Sequence, residues 1–211
     1  MNQFAVVLLA VATASCGAAT SQTQPPIVQP GAPGEASRVI APATAVDLSQ
    51  VSHTTADVRF MQGMISHHAQ AVEMAELLST RTASAAMRKL GQRIEVSQTD
   101  EITMMQRWLE TRGEQVPGPH AQHMMGTTLM PGMLTAAEMD RLARAKGPEF
   151  DRLFLEGMIK HHEGALTMVR DLFATRGAGQ DSEIFAFASD VDADQRMEID
   201  RMSTMLKEFE K

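Results

Sequence analysis

The sequence predicts an all-α protein, a four-helix bundle made of two duplicated helical hairpins with a connecting loop and a short helix. Three observations lead there. The stretch FMQGMISHHAQAVEM, beginning at Phe60, returns 94 residues later as FLEGMIKHHEGALTM, beginning at Phe154. A second set of matches, Gln98/Gln195, Glu101/Glu198, Ile102/Ile199, Met105/Met202 and Leu109/Leu206, is offset by 97 residues. The duplication therefore spans a helix pair, and the difference in offset implies a longer turn inside the second copy. Finally, no stretch alternates with a period of two, so no sheet is expected.

In chain order, residues 1–15 form a short apolar segment ending in small residues, the form of an export signal. It is too short for a stable membrane span. Cys16 is the only cysteine, which excludes an internal disulfide. The segment resembles a lipoprotein signal, which would make Cys16 the lipid-bearing first residue and the only link to a membrane. Residues 16–50 are rich in Ala, Thr, Ser, Gln, Pro and Gly and read as a flexible linker. The bundle domain is expected over 51–211, with repeats at about 54–112 and 148–210.

Thr54 and Asp57 have capping-box spacing and open the first helix. On a helical wheel, Asp57, Phe60, Met61, Met64, His67, His68, Ala71, Met74 and Ala75 share one stripe. Arg59, Gln62, Ser66, Gln70 and Glu73 lie opposite. A tight turn near 80–83 leads to a second helix that stops at Gly113. Its inner stripe is Met87, Leu90, Ile94, Gln98, Glu101, Ile102, Met105, Trp108 and Leu109. Residues 114–134 contain Pro-Gly and Gly-Pro junctions and form the connecting loop. Thr135 and Glu138 cap a short helix to about Ala145. Gly147-Pro148 starts the third long helix. The fourth runs from about Asp181 to Glu210, with Ile184, Phe187, Val191, Gln195, Glu198, Ile199, Met202, Met205, Leu206 and Phe209 inward. Hairpins with apolar faces bury them by packing on each other.

Composition narrows the function. The net charge is −7 with no basic cluster, so no nucleic-acid partner is expected. Methionine occurs 17 times while tyrosine is absent. Methionine serves as adaptable core filler, and its thioether is also a soft ligand. A single inward histidine is ordinarily a hydrogen-bonded core residue. Here two adjacent pairs, His67-His68 and His161-His162, stand at matching places. Burial of four imidazoles with Glu101, Glu198, Gln98 and Gln195 costs free energy unless they bond one another or a metal. Neighbouring helical side chains point about 100° apart, so one histidine of a pair can face an ion while the other meets a glutamate.

Di-iron bundles carry Glu-x-x-His on two helices. Here the position three before His67 is Met64, and three before His161 is Met158. Sulfur with imidazole favours copper, Cu(I) above all, or Ag(I), over iron. The expected metal ligands are Met64, His67, His68, Met74, Met158, His161, His162 and Met168. Glu101 and Glu198, with Gln98 and Gln195, would orient the imidazoles from behind. His120, His123, Met124, Met125, Met130 and Met133 make the connecting loop a candidate second metal site. His53 carries no assignment. No nucleophile–base set or phosphate loop is present, so a metal-binding protein rather than an enzyme is expected. The alternatives are a di-iron or di-manganese oxidase and a metal-free bundle.

The pattern resembles the family called domain of unknown function 305, a ferritin-like group. The residues that carry it are Asp57, Phe60, Met64-Ile65, His67-His68, Ala71 and Met74, then Glu101-Ile102, Met105 and Trp108-Leu109. Met130-Pro131-Gly132-Met133 and Glu149 through Met168 complete it, over roughly 54–210. The resemblance implies a helical bundle, export and, for some members, periplasmic copper binding and copper tolerance. A metal-accepting envelope protein would then be a partner.

Overall fold

The structure, a computed structural model, describes residues 27–29, 36–41, 53–118 and 129–209. The expected signal, Cys16, His120, His123, Met124 and Met125 lie outside the described residues. Two short strands, β1 (Ile27–Gln29) and β2 (Arg38–Ile40), pair antiparallel within the segment read as linker. Three residues per strand are too few to show an alternating pattern, which is why this ribbon was not expected from the sequence.

The helices are α1 (Thr55–Glu76), α2 (Leu78–Arg81), α3 (Ala85–Thr111), α4 (Ala136–Arg144), α5 (Gly147–Ala174) and α6 (Ser182–Phe209). The long helices start close to where the sequence places them. Thr54 and Asp57 cap each other reciprocally at α1, as do Thr135 and Glu138 at α4. Ser84 caps α3, and Asp181 Oδ1 accepts the amides of Glu183 and Ile184 at α6. Pro148 occupies the first turn of α5. The short α2 continues α1 after a break at Leu77, leaving 82–84 as the first turn against 175–181 in the second copy. The offset difference is therefore a longer turn, as the repeat implies.

The α1–α3 and α5–α6 hairpins pack into a helical bundle, joined chiefly through α1 and α5. Their core includes Met61, Met64, Ile94, Met105, Leu109, Phe150, Phe154, Met158, Ile184 and Met202, all fully buried. Among the described residues no helix is long and apolar enough to cross a membrane.

Three expectations about faces need correction. Ser66 and Gln70 were placed outward but are buried. The reason is the connecting segment, which covers that side of α1. Gln70 clamps it at both ends of one residue, accepting from Leu134 N at 2.7 Å and donating to Leu134 O at 2.9 Å. Phe209 was placed inward but is exposed, as the last residue of α6. The segment also seats on α5 by backbone contact. Gly132 has φ +75°, and a Cβ on it would lie 2.7 Å from Gly164 Cα. Both glycines are needed for that approach.

The repeat is not strictly preserved. Asp57 Oδ1 accepts Gly179 N–H at 2.7 Å and ties the start of α1 to the turn before α6. Its counterpart Asp151 is buried, and its Oδ1 has no hydrogen-bond partner among the described residues.

Candidate metal site

The two histidine pairs divide their work. His68 Nε2 donates to Glu101 Oε2 at 2.5 Å, and His162 Nε2 donates to Glu198 Oε2 at 2.7 Å. Each of these bonds is internal to one hairpin. His67 and His161 instead meet across the junction of α1 and α5, ring centroids 3.8 Å apart and planes inclined by 37°. His67 Nε2 lies 2.9 Å from Pro131 O, and His161 Nε2 lies 2.8 Å from His67 O.

A carbonyl oxygen can only accept, so both Nε2 atoms carry the proton. The Nδ1 atom of each ring then holds a bare lone pair. The Nδ1 atoms of His67, His68, His161 and His162 are all buried without a hydrogen-bond partner among the described residues. Burial lowers the His67 imidazole to about 3, helped by the nearby His68. Burial and the neighbouring His67 lower His161 well below its ordinary value. Both are neutral near pH 7, the form that binds metals. Buried acceptors without partners are uncommon, and the Nδ1 atoms of His67 and His161 are two in matching places.

The expected ligands occupy several layers. Met64 and Met158 are fully buried one turn before the central histidines. Met74 and Met168 cross to the opposite copy. A Cβ on Gly157 would lie 3.3 Å from Met74 Cε, and one on Gly63 would lie 3.4 Å from Met168 Cε. Two members of the loop set are described. Met130 brings its Sδ to 3.3 Å from the same point above Gly63, and Met133 is buried. Gln98 and Gln195 are buried, each with Oε1 unpartnered among the described residues. Among the described residues, no three His, Cys, Asp or Glu side chains converge to hold an ion.

Sequence reasoning missed the parts that belong to tertiary contact. The Pro131 carbonyl that fixes the His67 tautomer was visible only as a turn, and Gln70 only as an outward polar residue. His53, left unassigned, bonds Glu114 at 3.0 Å and packs edge-on against Trp108. Arg112 lies 4.4 Å over the Trp108 ring and pairs with Asp181 at 2.9 Å. This cluster fastens the end of α3 to the start of α6.

Fold and site together define a duplicated helical bundle with a buried quartet of imidazoles at the junction of its two halves. The chain belongs to the domain of unknown function family DUF305, whose model matches residues 57–206. It is similar to a DUF305 protein of Streptomyces coelicolor thought to be secreted, at 30% identity and TM-score 0.64, over 73% of this chain and 93% of that one. A DUF305 fragment from Deinococcus radiodurans matches at 30% identity and TM-score 0.63, over 74% and 98%. CopM in its Cu(II)-bound form matches at 28% identity and TM-score 0.59, over 72% and 97%. CopM is also solved with Cu(I) and with Ag bound. No curated protein matches the sequence significantly.

Proposed function

We propose that this protein binds copper in the cell envelope, Cu(I) foremost, with Ag(I) and Cu(II) as further cargo, for sequestration, tolerance or transfer. The observation that carries the reading is the pair of buried, bare Nδ1 atoms of His67 and His161 in matching places, each one turn from a fully buried thioether. His67 and His161 are the central ligands, with Met64 and Met158 as the adjacent sulfurs. Met74 and Met168 extend the sulfur set at the hairpin junction. Glu101 and Glu198 hold His68 and His162 in register. The similarity to CopM, solved with Cu(I), Cu(II) and Ag, supports this choice of ions. We read the protein as a carrier rather than an enzyme, exported by residues 1–15 and anchored through a lipid on Cys16. A metal-accepting envelope protein is its natural partner.

Anaerobic Cu(I) titration against a competing chelator tests the reading. The wild type should compete, and the His67→Gln/His161→Gln variant should lose at least about 100-fold in affinity, since it loses both central ligands. Met64→Leu/Met158→Leu should stay folded because the volumes are close. It should lose more affinity for Cu(I) than for Cu(II). Wild-type affinity in the double-glutamine variant would sink the histidine assignment. Equal losses for the two ions would sink the thioether assignment.

A further inference from the structure

A groove of about 430 Å3 opens between α3 and α6, the two long helices that the junction leaves apart. Arg93, Ser97, Asp194, Met197 and Glu198 line it. Glu198 is thus a wall of the groove and also the partner of His162. The His162 side chain is sealed at 0% exposure, whereas Glu198 keeps 9%. Ser97 Oγ donates to Glu101 Oε1 at 3.3 Å, and the other Glu101 oxygen holds His68. The His68 side chain is likewise at 0% and Glu101 at 18%. Glu198 is therefore reached from the groove directly, and Glu101 adjoins its wall through Ser97.

The rim suits a soft cation. Met197 offers a thioether and is 61% exposed, although it lies on a helix whose apolar face is buried. The Asp194 carboxyl is pushed up from its ordinary value, by burial first and then by the charges of Glu101 and Glu198. These three carboxylates share one negative field. Arg93, 3.9 Å from Glu198 Oε1, is the cation that opposes it. A groove with focused negative potential raises the local concentration of a positive ligand.

We infer that the α3–α6 groove is the port through which Cu(I) or Ag(I) reaches the buried imidazoles. Asp194 and Met197 make first contact, and Glu198 draws the ion to the inner wall of the groove, beside the His162 ring. This rests on the metal-binding reading above and adds the path. A port lowers the barrier between bulk and site without changing either end state. Loading and release must therefore change by the same factor.

The test is Ag(I) loading and release followed by stopped flow against a chromophoric chelator, with equilibrium affinity measured separately. Asp194→Asn and Met197→Leu should each slow both rates by roughly 3- to 10-fold, while Arg93→Gln should speed both, the scale expected of local steering. Equilibrium affinity should stay within about twofold, because no central ligand is touched. Opposite signs from neighbouring variants are not the result of a damaged fold. Normal equilibrium binding with wild-type rates in all three variants overturns the port alone. Absence of Ag(I) binding by the wild type overturns the metal-binding reading and the port with it.

Discussion

Gly164→Ala is expected to unseat the connecting segment and loosen the proposed metal site in one step. A methyl group at this position would overlap the Pro131 carbonyl and lie 2.6 Å from Gly132 Cα. The obstruction is backbone on both sides, so no side-chain rotation relieves it. Overpacking of this kind costs about 1–3 kcal/mol, and more where the backbone must move. For a domain of this size that corresponds to a fall of roughly 2–12 °C in Tm. Displacing Pro131 O also removes the acceptor that holds His67 Nε2–H. The tautomer is then no longer fixed, and metal affinity should fall about 10- to 100-fold, as when an orienting partner is removed. Thermal unfolding by circular dichroism and the chelator competition measure the two effects. If Tm falls while affinity stays at the wild-type value, Pro131 is a packing contact and does not tune the histidine.

The second large effect is on acid stability. His67 is held at about 3 and His161 well below its ordinary value, chiefly by burial. Between about pH 6.5 and pH 3 the unfolded chain binds a proton on His67 that the folded chain does not, and His161 acts in the same direction. Stability is therefore complete above pH 6.5 and falls as the pH drops through this window. The slope is about 1.4 kcal/mol per pH unit for each histidine. Two units of acidification, to pH 4.5, would remove roughly 3 kcal/mol through His67 alone, a large part of a domain's stability, with His161 adding to it. Glu138, lowered to about 2 mainly by its hydrogen bond to Lys160, acts in a lower range, below the ordinary carboxylate value. Urea unfolding of the metal-free protein at stepped pH should show the decline beginning near 6.5. The His67→Gln/His161→Gln variant should lie flat to about pH 5. A wild-type profile that is also flat to pH 5 would mean that water or rearrangement relieves the burial.

Much of the molecule was legible from residue order because its signals are local. Capping boxes at Thr54 and Thr135, the stop at Gly113 and the apolar stripes depend on neighbours within a few residues. The duplication showed that His67 matches His161 and that Glu101 matches Glu198. It could not show which partner each histidine takes. Adjacent helical residues diverge by about 100°, so the same pair is compatible with several neighbours. Ser66 and Gln70 were misplaced for a related reason. A wheel separates one face from another but does not report what covers the second face.

The amino-acid order by itself determined four long helices, their pairing into two equivalent hairpins, and inward imidazoles beside sulfur. Only the tertiary structure decided that His68 and His162 are spent on carboxylates while His67 and His161 face each other. It also decided that a loop carbonyl and a helix carbonyl, each contributed from elsewhere in the chain, leave both central Nδ1 atoms bare. Helical pattern is set by contacts a turn apart, whereas the protonation of a buried ring is set by whichever backbone oxygen the packing brings to it.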